Sequence, residues 1–230
     1  MITGDDMESK RIAAERAVEY IEDGMIVGLG TGSTAYWAIQ KIGERMKEGL
    51  DIRAIATSNQ SESLAKAIGI SLVSFSDIKA VDVTIDGADE VDRQWNVIKG
   101  GGGALLREKI VAAASKQLII IIDERKLVDR LGEFPLPVEI VQFGYEMTMH
   151  KLTELGCRPI LREKDKKPFM TDNGNYIIDC EFGSIEKPVE LHKEINMIPG
   201  VVDNGLFIHM ADQVIVGFED GSVKELRRMV

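Results

Sequence analysis

Two short segments of this chain carry residue types that move protons and stabilise charge on oxygen. Asp86 and Asp89 stand three residues apart in Asp-Gly-Ala-Asp-Glu, and Lys99 is followed by four consecutive glycines, 100–103. Ordering four glycines costs much conformational entropy, so we infer that bare backbone is needed there. Amides before a helix, with a lysine beside them, form a site for negative charge that develops on an oxygen. Glu108, in the first or second turn of that predicted helix, is then a candidate base.

A third segment, Gly-Leu-Gly-Thr-Gly-Ser-Thr at 28–34, offers backbone amides at the start of another predicted helix. These amides and the positive end of the helix dipole suit a phosphate, and the hydroxyls of Ser33 and Thr34 suit a terminal phosphate. A dinucleotide fingerprint fits less well, because Ser33 replaces its third glycine. Nor does Ser33 have the flanking glycines of a nucleophile elbow. Glycine-rich turns also occur for purely conformational reasons, and this interpretation stays open.

Each acidic candidate also has a structural interpretation. The Asp-rich turn at 86–90 can cap neighbouring amides, and Glu108, taken alone, can be a solvated helix residue. A Mg²⁺ site formed by Asp86, Asp89 and Glu90 is a further alternative, ranked lower because no Walker-type loop accompanies these carboxylates. The three histidines have no metal-ligand spacing either.

Hydrophobic periodicity predicts the elements that position these residues. In the first part of the chain, helices alternate with apolar strands, which predicts a parallel sheet covered on both faces. One strand precedes the glycine loop at 28–34 and another ends at Asp86, so both segments lie at the carboxyl edge, where ligands bind. The predicted strands are 25–29, 52–56, 71–74, 81–85 and 118–122, and the predicted helices are 12–21, 35–47, 61–68 and 104–114.

The region from Pro135 to about Ile208 has a different order of elements, β-α-β-β-α-β, which is that of the ferredoxin-like unit. We therefore predict the α/β class: a Rossmann-like doubly wound parallel sheet with an inserted ferredoxin-like α+β second domain. The first domain is expected to comprise 1–133 and 209–230, and the second 134–208. The elements behind this assignment are strands 137–142, 159–162, 175–181 and 200–208, helices 145–155 and 189–197, and a returning hairpin, 213–218 with 222–226.

Composition limits the class of protein and of partner. The 230 residues are 44% hydrophobic and 29% charged, which is enough to bury a core without disulfides. The formal charge of −10 argues against a nucleic acid as partner. No apolar run approaches the roughly 20 residues that span a bilayer, so we expect no membrane segment. Two distant cysteines, Cys157 and Cys180, and the lack of a secretory signal pattern predict a reducing, cytoplasmic setting.

The three segments, together with Asp-Glu-Arg-Lys at 123–126, closely resemble the A type of ribose-5-phosphate isomerase. The resemblance is collinear and covers nearly the whole chain. It implies interconversion of D-ribose 5-phosphate and D-ribulose 5-phosphate in the non-oxidative pentose phosphate pathway, without metal or organic cofactor, by a homodimer or homotetramer. It continues through Phe134-Pro-Leu-Pro-Val-Glu, Thr171-Asp-Asn-Gly-Asn, Ile198-Pro-Gly-Val-Val and Asn204-Gly-Leu-Phe.

The resemblance also implies a role for each matching residue. Glu108 matches the catalytic base, Lys99 with nearby amides is expected to stabilise the oxygen, and Asp86 is our candidate for opening the furanose ring. Lys126 is expected to help hold the phosphate. Arg125 departs from the family pattern, which commonly has Ser there, so phosphate contacts near Lys126 can differ in detail. The expected substrate-binding residues are Thr31, Gly32, Ser33, Thr34, Asp86, Gly87, Ala88, Asp89, Lys99, Gly100, Gly101, Gly102 and Lys126.

Two other functions stay open on the sequence alone, because similar α/β scaffolds occur in sugar-phosphate-sensing regulators and in coenzyme A transferases. A non-catalytic phosphosugar-binding regulator is expected to carry a DNA-binding segment, whereas this acidic chain begins with a helix of the α/β domain. A coenzyme A transferase-like enzyme needs a glutamate nucleophile in its own motif, whereas Glu108 lies in the isomerase pattern.

Overall fold

The computed structural model describes residues 4–227. Within that range the α-helices are α1 (Gly4–Val18), α2 (Ser33–Lys47), α3 (Asn59–Ile68), α4 (Leu105–Ala113), α5 (Tyr145–Glu154) and α6 (Pro188–Asn196). The strands are β1 (Ile26–Leu29), β2 (Arg53–Ala56), β3 (Ser71–Leu72), β4 (Val83–Gly87), β5 (Glu90–Val91), β6 (Val97–Ile98), β7 (Leu118–Asp123), β8 (Leu136–Ile140), β9 (Arg158–Leu161), β10 (Glu163–Lys164), β11 (Lys167–Pro168), β12 (Tyr176–Glu181), β13 (Val201–Asn204), β14 (Leu206–Phe207), β15 (Gln213–Gly217) and β16 (Val223–Arg227). None of the described helices is long and apolar enough to cross a membrane.

Contacts within the chain divide it into two units. The first contains the residues up to Ala88, Arg107–Lys126 and those from Met210 onward, and the second contains Asp89–Leu106 and Leu127–His209. The stretches 89–106 and 127–133 and the residue His209, which the sequence analysis placed in the first domain, thus group with the second unit. Strand pairing explains this grouping, because β6 pairs with β14 and Val91 forms a bridge with Leu127. A contact unit need not fold alone, so the expected domain limits stay a prediction.

The first unit is built on a mostly parallel sheet. Among the described residues its order is β16-β15-β7-β4-β1-β2-β3, and only the β15–β16 pair is antiparallel. The chain moves outward from β1 through β2 to β3 and then crosses to β4 on the other side of β1. This reversal is the switch point of a doubly wound sheet. The α/β, Rossmann-like prediction is confirmed, and β15 with β16 forms the returning hairpin that we expected.

Both faces of this sheet are covered by apolar side chains, because successive strand residues point to opposite faces. Val27 and Leu29 of β1 pack in one cluster with side chains of α1, α2 and α3. Ile55 of β2 packs in another cluster with Val111 of α4 and with Ile26. Strand β7 is buried at every position, as expected for a central parallel strand. Because β7 is buried along its whole length, polar residues can meet a ligand only at the carboxyl edge of the sheet.

The second unit contains an antiparallel sheet with the order β13-β8-β12-β9 among the described residues. Its chain order, β8-α5-β9-β12-α6-β13, is the ferredoxin-like arrangement that the sequence predicted. Leu152 of α5 and Ile195 of α6 pack with Val138 and Ile178 of the sheet in one buried cluster. The inserted α+β fold is therefore confirmed.

The predicted strand 200–208 is wrong in one respect, because it is two strands in different sheets. β13 pairs with β8, whereas β14 pairs with β6. Between them, the Gly205 N–H donates to the Pro137 carbonyl at 2.7 Å, and the Gly205 carbonyl accepts the Lys99 N–H at 2.9 Å. A Cβ at Gly205 would lie 2.2 Å from the Lys99 carbonyl oxygen. Only glycine fits this approach, and the break brings the chain against Lys99.

Candidate active site

The glycine loop after β1 lies close to the end of β4 in the first unit. The Gly30 N–H donates to the Ile85 carbonyl at 3.0 Å, and a Cβ at Gly30 would lie 2.2 Å from Asp86 Oδ1. Gly32, with φ of 102°, adopts the backbone conformation that favours glycine, and α2 starts after it. Glycine is thus required at position 30 by the close approach and at position 32 by the backbone conformation, as the conformational interpretation of this loop held. The two glycines also bring the loop to the switch point of the sheet, where ligands bind in doubly wound folds.

Asp86 links this loop to β4. Its side chain is buried, with 1% exposed, and Oδ1 accepts the Thr31 N–H at 3.1 Å and the Gly87 N–H at 2.8 Å. Hydrogen bonds to a charged acceptor are stronger than those between neutral groups. The interpretation of this turn as a cap for neighbouring amides is therefore correct for Asp86. The same contacts hold Asp86 at the carboxyl edge of β4.

A cluster of buried hydroxyls surrounds Thr31, and the sequence analysis missed it. Thr31 Oγ1 lies 2.7 Å from Thr57 Oγ1, 2.9 Å from Ser58 Oγ and 3.3 Å from Ser61 Oγ. Ser61 Oγ donates to the Gly30 carbonyl at 2.6 Å, and Ser58 caps α3. The Thr31 hydroxyl thus positions the loop from inside. The available signal was the Thr-Ser pair directly after β2, since β2 is a neighbour of β1 at the same edge.

Lys126 follows β7, the strand next to β4, and therefore lies at the same carboxyl edge of the first unit. It ends the short 3-10 helix Glu124–Lys126 and is half-buried. The preceding Arg125, where the sequence departs from the family pattern, is held by the buried Asp123. Asp123 Oδ1 accepts the Arg125 backbone N–H at 3.2 Å and its Nε–H at 3.1 Å. Arg125 thereby stabilises the turn that presents Lys126.

Glu108 lies in the first turn of α4 and is only 4% exposed. The alternative of a solvated helix residue is therefore wrong. Its neighbour Arg107 donates to Asn59 Oδ1 at 2.9 Å, at the start of α3. Burying a carboxylate costs solvation free energy, a cost that surface glutamates avoid. The burial of Glu108 therefore indicates a role other than that of a solvated surface residue.

Lys99 and the glycine run form the polar part of the second unit. Lys99 is 3% exposed, and its Nζ lies 5.6 Å from the centre of the Phe207 ring, within the range of a cation–π interaction. Asp89 Oδ2 accepts the Gly101 N–H at 2.8 Å, and a Cβ at Gly101 would lie 2.6 Å from Asp89 Oδ1. Gly100 has φ of 106°, which glycine tolerates best. The run is thus shaped around an aspartate.

Glu90 has a structural role. One carboxylate oxygen accepts the Gly132 N–H at 2.7 Å and the other accepts the Phe134 N–H at 2.6 Å. Burial raises the pKa of Glu90 above its usual value, although these amide hydrogen bonds act in the opposite direction. Both oxygens already have partners. Among the residues whose side chains the structure describes, 7–227, no group of three or more His, Cys, Asp or Glu is placed to hold a metal ion.

The site residues that the sequence analysis predicted are divided between the two units. In the first unit, the Asp86 carboxylate holds the Thr31 loop, while Glu108 is buried and Lys126 follows the adjacent strand. In the second unit, Asp89 holds the glycine run after Lys99. Among the remaining named residues Gly87 and Gly100 are buried, Thr34 and Ala88 are half-buried, and Gly32, Ser33, Gly101 and Gly102 are exposed.

Sequence comparison identifies the family. The family model for ribose 5-phosphate isomerase A (phosphoriboisomerase A) matches residues 53–221. The ribose-5-phosphate isomerase A of Bacillus anthracis is 56% identical over 221 residues, which cover 96% of this chain and 100% of that protein. The chain belongs to the ribose 5-phosphate isomerase A family. The resemblance found in the sequence is confirmed, and the chain is an isomerase.

Solved ribose 5-phosphate isomerases have the same fold as this family member. The enzyme of Plasmodium falciparum superimposes with a TM-score of 0.94 at 40% identity, covering 98% of this chain and 100% of that one. A D-ribose-5-phosphate isomerase in complex with phospho-erythronic acid gives a TM-score of 0.92 at 43% identity, covering 95% and 97%. The likeness extends through both units.

Replacing Gly30 with Ala is expected to impair this member of the ribose 5-phosphate isomerase A family. The new Cβ would lie 2.2 Å from Asp86 Oδ1, so either the loop or the carboxylate must move. A displacement of about 1 Å at such a site lowers kcat/KM by about 100-fold. Steady-state isomerase kinetics and circular dichroism measure the effect. Gly24→Ala is the control for backbone strain alone: its Cβ meets no atom within 4 Å, but its φ of 80° disfavours a side chain, so it should lose some stability and keep its kcat/KM. Unchanged kcat/KM for Gly30→Ala would contradict the role of this close contact.

Proposed function

We propose that this chain interconverts D-ribose 5-phosphate and D-ribulose 5-phosphate, the aldose–ketose isomerisation of the non-oxidative pentose phosphate pathway. Membership of the family supports this reaction, as does the binding of a phosphorylated sugar acid, phospho-erythronic acid, by a relative that is 43% identical. Within the structure, the observation that carries the proposal is the burial of Glu108 in the turn of α4 that follows the glycine run. A general base must be shielded from water, whereas a glutamate on the protein surface has no such requirement.

Proton transfer is the first part of the proposed mechanism. Isomerisation moves a proton between C1 and C2 while negative charge builds up on the carbonyl oxygen. Glu108 removes the C2 proton and returns it to C1 through a cis-enediolate. Burial supports this role, because little water competes for the carboxylate. Asp86, at the carboxyl edge of β4, assists opening of the furanose ring.

Stabilisation of the enediolate oxygen is the second part. We assign it to the Lys99 ammonium and to the amides of Gly100 and Gly102 as preorganised donors, while Gly101, whose N–H is held by Asp89, shapes the run between them. The half-buried Asp89 and the residues Gly87 and Ala88 contact the sugar. Because lysine and amides supply the positive charge, the proposed chemistry needs neither metal nor organic cofactor.

The phosphate is assigned to the loop after β1. Gly32 and Ser33 are exposed at the start of α2, where backbone amides and the helix dipole favour an anion. Thr31 supports the loop through its buried hydroxyl, and Thr34 adds a half-buried one. Lys126, which follows β7 at the same carboxyl edge of the sheet, supplies a positive charge. Phosphate binding and proton transfer are thus assigned to separate elements.

We also propose a homodimer or homotetramer. Large apolar side chains of the second unit are exposed, among them Phe143, Met147 and Met197, and contact with another copy of the chain would bury them. We further propose that the enzyme works in the cytoplasm. Its cysteines, Cys157 and Cys180, are free and buried, which suits a reducing compartment. The hydrogen bond to Cys157 and burial raise the pKa of the Cys180 thiol well above its usual value, which favours the protonated form.

The direct test is conversion of ribose 5-phosphate by the purified full chain, with and without EDTA, followed by the appearance of ketose. We expect ketose formation at the same rate in both conditions, because the proposed chemistry uses no metal. A phosphosugar-binding module would bind ribose 5-phosphate without forming ketose. A coenzyme A transferase-like enzyme would transfer acyl groups and form no ketose. Absence of ketose above the uncatalysed rate would falsify the isomerase proposal.

Glu108→Gln is expected to lower kcat by at least about 100-fold, the lower end of what general acid–base catalysis contributes, because the amide cannot accept the C2 proton. The matched control is Glu146→Gln, an exposed glutamate in the first turn of α5, which should leave kcat unchanged. Both variants are compared by initial rates at saturating ribose 5-phosphate. Near-normal turnover of Glu108→Gln would remove this residue as the base.

Lys126→Ala is expected to raise KM by about 10- to 100-fold with little change in kcat. A charged hydrogen bond contributes about 1.5–3 kcal/mol, and a phosphate contact acts equally on the ground state and the transition state. Lys79→Ala, which removes an exposed lysine, is the control for loss of positive charge. The readout is KM and kcat over a range of ribose 5-phosphate concentrations. A fall in kcat at unchanged KM would instead give Lys126 a chemical role.

A further inference from the structure

Arg162 binds the backbone of the glycine run after Lys99. Its Nη1 donates to the Gly100 carbonyl at 2.9 Å and to the Gly101 carbonyl at 3.1 Å. The residue directly follows β9, about sixty positions away in sequence, and its side chain is 15% exposed. It belongs to none of the motifs that identified the family in the sequence. Its contact with the run is made entirely within the second unit.

The Arg162 side chain is itself held in place. Asp179 of β12 accepts Nε–H at 2.8 Å through Oδ2 and Nη2–H at 2.5 Å through Oδ1, a bidentate pair with fixed geometry. The guanidinium carbon lies 5.8 Å from the centre of the Phe169 ring. The backbone is fixed as well, because the Arg162 N–H donates to Ile177 and its carbonyl accepts from Phe169, both at 2.8 Å. Arg162 therefore presents its donors from a rigid base.

The orientation of the loop carbonyls determines the orientation of its amides. In a trans peptide the C=O and the following N–H point in opposite directions, and the described part of the chain contains no cis peptide. With the carbonyls of Gly100 and Gly101 bound to Arg162, the N–H groups of Gly101 and Gly102 point away from it. The Gly101 N–H meets Asp89 on that opposite side. The Gly102 N–H is directed away from Arg162 in the same way.

Glycine peptides need such a restraint, because they have more accessible backbone conformations than any other residue. A run of four would otherwise rotate its amides among many directions. An oxyanion site is effective only when its donors are already oriented before charge develops. Phe169 restrains the far end of the run too, since a Cβ at Gly103 would lie 2.5 Å from its ring.

We propose that Arg162, locked by Asp179, is a positioning residue for catalysis: it fixes the peptide planes that follow Gly100 and Gly101, so that Asp89 holds the Gly101 amide and the Gly102 amide faces the developing oxyanion. This proposal rests on the isomerase function proposed above. Arg162 does not touch the substrate in this scheme. Its contribution belongs to the transition state, so its loss should appear in kcat, whereas phosphate affinity is provided by the loop after β1.

The test compares two arginines at opposite ends of β9 in the full chain. Arg162→Ala should lower kcat about 10- to 100-fold, with KM within about threefold of the parent value. Arg158→Ala is the matched control, because Arg158 makes an ion pair with Glu181 of the same strand β12, at 2.6 Å, but with 73% of its side chain exposed. It should leave kcat unchanged. The Ki of inorganic phosphate as a competitive inhibitor should be the same in all three proteins.

Two further variants keep the proposal testable if Arg162→Ala unfolds. Arg162→Lys retains charge but lacks the planar fork that pairs with Asp179 while reaching two carbonyls, so kcat should fall in a folded protein. Asp179→Asn should lower kcat through the same route, and in a folded double variant it should add nothing to Arg162→Ala. Added guanidinium ion, below denaturing concentrations, should partly restore kcat to folded Arg162→Ala with the phosphate Ki unchanged, because it can replace the hydrogen bonds to the two carbonyls.

Several outcomes would overturn the proposal. One is a kcat of Arg162→Ala or of Arg162→Lys equal to that of Arg158→Ala. Another is a parallel rise in KM and in the phosphate Ki, which would show general loosening of the site. Thermal unfolding of each variant separates loss of fold from loss of turnover. An inactive parent protein would refute the isomerase function itself, and this is measured first.

Discussion

The hydrogen bond from the Thr31 N–H to the Asp86 carboxylate is the constraint on which the first unit's candidate site depends. It connects two neighbouring parallel strands at the place where the strand order reverses. The loop reaches Asp86 only because Gly30 has no side chain. The hydroxyls of Thr57, Ser58 and Ser61 then hold Thr31 from the other side. The loop to which we assign the phosphate is thus fixed by contacts within the protein, so in the proposed mechanism little ordering cost remains for binding.

Asp89 repeats this arrangement in the second unit. Where Asp86 accepts the amides of Thr31 and Gly87, Asp89 accepts the amide of Gly101, and there too a Cβ on the glycine would collide with the carboxylate. The short Asp-Gly-Ala-Asp segment therefore organises two separate loops. The two aspartates of this segment, which we predicted as site residues, are therefore also the residues that cap its neighbouring amides.

How far the sequence predicts this structure depends on the range of the interactions. Periodicity predicts the long elements and both fold types, because burial of β7 or of α5 leaves a local pattern. It misses β5 and β6, since two-residue strands carry no period, and it does not show the break at Gly205. Glycine runs and acids locate the candidate site. Thr57 and Arg162 escape notice because they reach the site only through pairing of β1 with β2 and of β9 with β12.

The glycine run after Lys99 shows why a motif alone does not specify chemistry. Four glycines make close approach and bare amides possible, but they also make every amide direction accessible. The structure removes that freedom from outside the run: Asp89 holds one amide, Arg162 holds two carbonyls, and Phe169 packs at Gly103. Each of these side chains is fixed by the fold of the second unit. In the mechanism that we propose, the α+β unit therefore contributes to catalysis, because its side chains give a flexible segment a fixed orientation.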